Sequence, residues 1–433
     1  MRNNIKISVV GLWHLGAVTA SCLADKGLNV NAYDHDENTI NNFNNGVLPI
    51  LEPGLEELIN INKLNGTLSF SSNRVTLSDS ELIWVTYDTP VNDQDIADVD
   101  YVINNIIALF PYFKKDSVVL ISSQLPVGSI SYLENLFLNK FPERNVSFAC
   151  SPENLRLGKA IDVFMNPDRI VVGIRDEEAK NKVNNILSSI TENIIWMKVE
   201  SAEMTKHALN AFLATSVVFI NELAVLCEHV GASANEVEQG LKSELRIGQK
   251  AYLRPGSAFD GGTLARDVTY LVEKEMEHNL STIFFSSILK SNENHKSWVV
   301  NKIAAELPSL KDKKIGILGL TYKPGTDTLR RSTAIEICNL LHKKGAKISA
   351  FDPAIKNLPS NLENFITLES VIDDVIIGKD AVIVATEWPI FKELASFDFS
   401  KLLNELLIFD ANSFLQKELN IPGVRYISIG KPL

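Results

Sequence analysis

The chain is poor in cysteine. It has four, Cys22, Cys150, Cys227 and Cys338, and no CxxC pair. That spacing offers neither a zinc site nor a disulfide framework, so no metal is expected. No unbroken apolar run reaches the roughly 18 residues that suggest a membrane span. No membrane partner is therefore expected. The start, MRNNIKISVVG, already reads as a strand and lacks a signal-peptide pattern. There is no dense basic run, and the net charge of −11 disfavours nucleic acid. These absences predict a soluble cytoplasmic protein. Its 433 residues allow two or three domains with ample core.

A further absence is local. From Ser201 to Gly231 there is no proline, and no glycine before the last position. This predicts one long helix, with Ser201 as N-cap, Glu203 in the first turn and Gly231 just past the end. At about 1.5 Å per residue, some thirty residues make a rod of roughly 45 Å, enough to link two domains. Apolar residues ring nearly its whole circumference, so other parts of the fold or a second subunit should cover it. Lys206 and Asn210 are i,i+4 neighbours on it. Either they meet a substrate, or the lysine snorkels to the surface and the amide caps a loop.

The N-terminal third has the order of a dinucleotide site. Ile5–Val10 is a β-rich run, followed by Gly11-Leu12-Trp13-His14-Leu15-Gly16 and an apolar helix pattern to Ala24. Gly27 ends that helix, Leu28–Tyr33 reads as a second strand, and Asp34 stands at its end. Gly11 allows the tight turn, Gly16 allows close helix packing, and the helix N-terminus faces a pyrophosphate. Asp34 suits a ribose diol and repels a 2′-phosphate, which favours NAD over NADP. One position departs from the pattern, because the middle glycine is Trp13. A strand–helix–strand unit with no nucleotide is the alternative. Further strands are expected at Leu82–Thr86, Val118–Ser122, Val146–Cys150 and Ile170–Gly173, the last closing the unit. Thr89-Pro90 and Leu125-Pro126-Val127-Gly128 follow strand ends, where open α/β sheets bind ligands. Ser151-Pro152-Glu153-Asn154-Leu155-Arg156 follows another. Its Glu153 is either catalytic or a helix cap.

Beyond the long helix come Arg246-Ile247-Gly248 and a glycine-rich stretch from Pro255 to Val268 that holds Gly261, Gly262, Thr263, Arg266 and Asp267. Arg266 and Asp267 start the next helix; the plain alternative is a turn with a surface ion pair. Lys311–Lys314 reads as a polar linker into a second open-sheet unit. Lys314–Leu320 is a strand, Thr333–Lys344 a helix capped by Gly345, and Lys347–Phe351 a strand ending at Asp352. Asp380–Thr386 and Leu407–Asp410 are later strands. The first turn of this unit lacks the dinucleotide fingerprint. Its Lys323 and Arg330 suit phosphate or carboxylate. The fold class is α/β, with two Rossmann-like open-sheet domains joined by a long central helix and a helical middle domain.

These segments together resemble the UDP-glucose/GDP-mannose dehydrogenase family over essentially the whole chain. The resemblance is carried by LEPGLEELI, SPENLR with NPDRIVVG, AEMTKHALNAF with INE, RIG, GGTLARDV and GLTYKPGTD. It implies NAD-dependent oxidation of the C6 alcohol of a nucleotide sugar, in two steps, to a carboxylate. It implies an NAD-binding domain over 1–198, a central helical and dimerisation domain over 199–300 and a nucleotide-sugar-binding domain over 301–433. Its catalytic positions match Glu153, Lys206, Asn210 and Asp267, the lysine and amide holding a water and the oxyanion. Cofactor contacts fall on Gly11, Trp13, Leu15, Gly16, Asp34, Thr89 and Gln124. Substrate contacts fall on Glu153, Leu155, Lys206, Asn210, Arg246, Tyr252, Gly261, Lys323 and Arg330. Arg246 matches an arginine that reaches the partner's substrate, and the long helix packs in a homodimer.

The departures gather at the chemistry. The family's catalytic cysteine aligns with Thr263, the threonine of its KSTVP-type loop with Gln124, a second glutamate with Leu157 and a late arginine with Ala411. A threonine hydroxyl is a poor nucleophile without a dedicated base. Cys150, beside the Pro-Glu turn, is the one cysteine placed to substitute, although a strand-end cysteine usually packs as a small hydrophobe. Three readings follow. The enzyme stops at the aldehyde, or it completes the four-electron oxidation to a uronic acid, or the chain binds nucleotide sugars without catalysis.

Overall fold

The computed structural model describes residues 5–50, 52–90, 97–153, 155–260, 262–402 and 404–431. Gly261, an expected sugar contact, lies outside the described residues, as do Leu51 and Asn154 of the quoted motifs. The chain divides into two compact units, Met1–Ala208 and Leu209–Leu433.

The first unit is built on an eight-stranded sheet. Its strands are β1 (Lys6–Val10), β2 (Asn29–Tyr33), β3 (Leu68–Ser71), β4 (Leu82–Val85), β5 (Val118–Ile121), β6 (Ser147–Cys150), β7 (Ile170–Gly173) and β8 (Ile194–Met197). Their order is β3-β2-β1-β4-β5-β6-β7-β8. β4 and β5 are buried along their whole length, which explains why both are apolar throughout, LIWV and VVLI. One face packs the helix His14–Asp25, whose Ala17, Val18 and Ala20 are fully buried. The other face carries an aromatic cluster, including Phe110 and Phe137 edge to face at 5.0 Å.

The sheet does not end at Ile170–Gly173 as expected. β7 meets β6 antiparallel at Cys150 and Gly173, and β8 is added beyond it in parallel. As an edge strand β8 is only partly buried, so its sequence lacks the signal of a two-sided core strand.

The second unit holds a six-stranded parallel sheet in the order β11-β10-β9-β12-β13-β14. The strands are β9 (Lys314–Leu318), β10 (Lys347–Phe351), β11 (Ile366–Leu368), β12 (Ala381–Val384), β13 (Leu406–Phe409) and β14 (Val424–Ile427). Between the long helix and this sheet come the helices Ala234–Ser243, Thr263–Glu277, Phe284–Lys296 and Trp298–Glu306. Its first turn repeats the N-terminal device. The Gly319 N–H donates to the Phe351 carbonyl at 2.8 Å, and Leu320 N–H to Asp352 Oδ2 at 2.7 Å. Asp352 Oδ2 is also taken by Thr321 N–H at 2.9 Å and by Trp388 Nε1 at 3.2 Å. A carboxylate oxygen so occupied is satisfied by protein, in keeping with the missing fingerprint.

The long helix runs from Val199 to Val230, two residues earlier than expected at its start. Ser201 therefore lies inside the first turn and is not the N-cap. Ala202 N–H already bonds the Lys198 carbonyl at 3.0 Å. Packing starts the helix early, because Val199 and Ala202 are fully buried in the first unit's core. Gly231 follows the last turn with φ of 78°, as its position demanded. Although no apolar run is unbroken, the helix is long and apolar enough to cross a membrane by composition, with an 18-residue window of mean hydropathy 1.7. One third of that window, 33%, is buried inside the fold.

Candidate functional site

The dinucleotide turn of the first unit needs both its glycines. Gly11 has φ of 93°, and a Cβ there would lie 2.6 Å from the Tyr87 ring. A Cβ on Gly16 would lie 1.9 Å from the Gly11 carbonyl oxygen. Thr86 Oγ1 ties the turn down by donating to the Val10 and Gly11 carbonyls, both at 3.0 Å. Asp34 is buried; its Oδ2 accepts Leu12 N–H at 2.7 Å and its Oδ1 accepts Asp36 N–H at 3.0 Å. Beside it opens a cleft of about 380 Å³ lined by Trp13, Asp34, His35, Tyr87 and Tyr101 among others. A cradle that excludes side chains, with an anchored carboxylate at its rim, fits a dinucleotide.

Trp13 is 48% exposed on this cleft, where the fingerprint has a bare glycine. Leu15 is half-buried at the second position of the helix His14–Asp25. Thr89 is buried and donates from Oγ1 to the Gln124 carbonyl at 2.8 Å, which joins these two expected cofactor contacts. Tyr87 and Tyr101 belong to the cleft but carry no motif, so the sequence did not single them out.

Two predictions test this cleft. NAD is expected to be preferred over NADP, and Asp34→Ala to narrow that preference in a comparison of the two dissociation constants. Trp13→Gly is expected to shift NAD affinity measurably; an unchanged constant would show that the indole takes no part.

A second, small pocket of about 40 Å³ lies at the ends of β5 and β6, lined by Gln124, Cys150, Glu153, Glu203, Lys206 and His207 among others. Lys206 Nζ donates to the Glu153 carbonyl at 2.6 Å. The lysine is thus held inside the unit and does not snorkel. The Glu153 carboxylate accepts Leu155 N–H at 2.5 Å. Leu155 packs against the core of the unit. Glu203 does not serve its own helix start. It crosses to accept the N–H groups of Gly128 at 2.8 Å and Ile130 at 3.1 Å, capping the helix Ser129–Lys140. Burial pushes its carboxyl above the ordinary value despite those bonds. Cys150 is buried, and burial drives its thiol far above the ordinary range, with the Glu203 carboxylate adding to the effect. Such burial disfavours the thiolate, and the side chain packs in the core as a small hydrophobe.

In the second unit, Asn210 Nδ2 donates to Asp267 Oδ2. Asn210 is buried and Asp267 is 1% exposed. The alternative of a surface ion pair at Arg266 and Asp267 fails, because the carboxylate faces the long helix. Thr263 is the exposed first residue of the helix that carries Asp267. Tyr252, Lys323 and Arg330 are exposed. Arg246 has a side chain 88% exposed and pairs with Glu244 at 3.0 Å.

The loop before Thr263 is held by three asparagines, of which Asn221 belongs to the quoted INE segment. Asn221 Oδ1 accepts Gly256 N–H at 2.9 Å. Asn292 grips Phe259 twice, accepting its N–H at 2.9 Å and donating to its carbonyl at 2.8 Å. Asn412, beside the anomalous Ala411, accepts Ser257 N–H at 2.7 Å.

Asp260 ends this loop and bonds Thr333. Burial and the nearby Glu336 raise its pKa from 3.8 to about 7, with Lys296 pulling the other way. The unfolded chain releases this proton first, so the folded state loses stability as pH rises from the ordinary carboxylate range through 7. Asp260→Asn is therefore expected to raise the Tm by several degrees at pH 8 and by less at pH 5. Melting curves at the two pH values check it.

Among the described residues, no group of His, Cys, Asp or Glu is arranged to hold a metal ion.

Comparison with known proteins agrees with this architecture. The sequence pattern "UDP-glucose/GDP-mannose dehydrogenase family, NAD binding domain" matches residues 5–191, the family's central domain residues 200–294 and its UDP binding domain residues 316–417. UDP-glucose 6-dehydrogenase YwqF of Bacillus subtilis is 33% identical over 99% of this chain and 98% of its own. The UDP-glucose 6-dehydrogenase of Rickettsia conorii is 34% identical over 99% and 100%. Among solved structures, a UDP-glucose dehydrogenase from Pyrobaculum islandicum superposes with a TM-score of 0.82 at 26% identity, covering 98% of this chain and 97% of that one. With a glycine cradle that fits the dinucleotide and relatives that align end to end, the chain belongs to the UDP-glucose/GDP-mannose dehydrogenase family, whose members are NAD-dependent oxidoreductases acting on CH–OH donors.

Proposed function

We propose that this chain oxidises the C6 alcohol of a nucleotide sugar, with UDP-glucose the first candidate, and releases its product at the aldehyde. The observation that carries the oxidation is the buried Asn210–Asp267 pair, one helical turn along from the anchored Lys206. A chain that only bound nucleotide sugars would need no such cluster. NAD, when bound, supplies the hydride acceptor. Lys206 and Asn210 hold the alcohol oxygen as it gains negative charge. Asp267 takes one N–H of the Asn210 amide and leaves the other for that oxygen. UDP-glucose and C6 are taken from the names of the full-length relatives. The stop at the aldehyde rests on Thr263, Leu157 and the raised thiol of Cys150. A screen of UDP-, GDP-, dTDP- and CDP-sugars for NADH formation, with product masses recorded, tests the reading. Failure to bind NAD at millimolar concentration would leave the non-catalytic binder.

A second reading has its own support. The relatives that match this chain from end to end are named UDP-glucose 6-dehydrogenases, which favours the complete oxidation to a uronic acid.

The three matched segments support an NAD-binding domain over 1–198, a central domain over 199–300 and a nucleotide-sugar domain over 301–433. The long helix bears an exposed apolar stripe, with Phe212 72% exposed and Phe219, Leu226 and Val230 along the same side. A homodimer through this stripe accounts for it, with Arg246 reaching the partner's substrate. The helix also carries Asn221 and Glu228, buried and bonded to protein groups, which suits a soluble fold better than a lipid-facing span. A cytoplasmic location suits NAD and nucleotide sugars. Phe219→Asp is expected to yield a monomer with most activity lost, read by light scattering and NADH formation. A stable monomer with full activity would rule out the role of Arg246.

A further inference from the structure

Glu52 is a buried carboxylate with no place in the chemistry proposed above. It opens the EPGL stretch, and its side chain is 1% exposed. Oε2 accepts from His14 Nε2 at 2.8 Å and from Gly158 N–H at 2.8 Å. Oε1 accepts Ala160 N–H at 2.9 Å. Burial alone would raise its pKa, but the Gly158 N–H, His14 and the Ala160 N–H together hold it below the ordinary value. An ionised carboxylate only accepts, so His14 donates from Nε2.

The partners belong to two different parts of the candidate site. His14 is the first residue of the helix that follows the dinucleotide turn. Gly158 and Ala160 end the segment that begins at the Pro-Glu motif, and Ala160 starts the short helix Ala160–Met165. That helix has no side-chain cap of its own at Lys159, so Glu52 satisfies one of its orphan donors, the Ala160 N–H, from outside. Upstream, the same segment carries Leu155 and the Glu153 carbonyl that holds Lys206. Both oxygens are thus spent on joining the cofactor turn to the loop expected to meet the sugar.

We propose that Glu52 and His14 are positioning residues that lock the loop Leu155–Ala160 to the dinucleotide turn, so that dinucleotide binding is felt at the sugar loop. The link itself rests on geometry within the first unit. Its consequence for sugar binding rests on the functional reading above.

Hydrogen exchange of the Gly158 and Ala160 amides, measured with and without NADH, tests the link without turnover. In the wild type NADH is expected to slow their exchange by about ten-fold or more, the scale of one charge-assisted hydrogen bond. His14→Phe should abolish the NADH dependence, and His14→Gln, which keeps a donor, should restore most of it. Equal slowing in His14→Phe, or none in the wild type, would overturn the proposal. Glu52→Gln keeps the shape and removes an acceptor. It carries the same expectation should the phenylalanine variant fail to fold. A lower Tm with the NADH response intact would reduce the pair to a structural role and also overturn it. Calorimetry with UDP-glucose, without cofactor, reads the consequence. Both His14→Phe and Glu52→Gln should weaken its binding about ten-fold. An unchanged constant would refute the sugar-loop role. A wild type that binds no UDP-glucose, yet shows the NADH effect on exchange, would sink the substrate reading and leave the link standing.

Discussion

Lys206→Ala and Asn210→Ala are each expected to lower kcat by about 10²-fold or more, with a much smaller change in KM for the nucleotide sugar. The two side chains lie one turn apart on the long helix, and both are pre-set by bonds within the protein. The lysine is fixed by the Glu153 carbonyl and the amide by Asp267. Donors already in place need little reorganisation when charge develops on the alcohol oxygen, so their effect falls on the transition state. On the proposed reading both act on one oxygen, so the double variant should lose much less than the product of the single losses. Steady-state kinetics on the three variants would check this. A change confined to KM would move both residues to ground-state binding.

The wild-type enzyme is expected to form one NADH per sugar and an aldehyde product that hydroxylamine traps. The second oxidation needs a tetrahedral adduct that can give up another hydride. Thr263 offers only an alcohol of high pKa, and it stands exposed at a helix start. Cys150 is buried, and its thiol is pushed well away from ionisation. A hydrated aldehyde can still react, but without covalent capture that step should be slow. Transfer of a single hydride is reversible, so the enzyme should also reduce the aldehyde with NADH. Thr263→Cys restores a nucleophile at the position where the family resemblance places one, and is expected to raise the yield toward two NADH per sugar. Two NADH and a uronic acid from the wild type would show that Thr263 or bound water completes the oxidation unaided.

The parts legible in the sequence are those fixed by local backbone demands or by burial on both faces of a strand. Gly11 announced a positive φ, and the wholly apolar runs of β4 and β5 announced a parallel sheet. Asp34 and Asp352 fell where strands β2 and β10 end, as the two-fold repeat of strand, turn and helix required. Lys206 and Asn210 were marked by helical spacing alone. Spacing did not reveal what holds them, because Glu153 and Asp267 meet them only after distant segments have packed.

The same holds for other residues whose partners the sequence did not reveal. Glu52 reaches Gly158 and Ala160, Glu203 reaches Gly128 and Ile130, and Asn412 reaches Ser257. Each is a polar side chain spent on backbone donors far away in sequence. Periodicity records which face of an element is buried, and turn chemistry records local φ. Neither records which buried donor lies opposite a given carboxylate or amide. That pairing is decided by tertiary packing, since a buried polar group must find its partner wherever the fold brings one within reach.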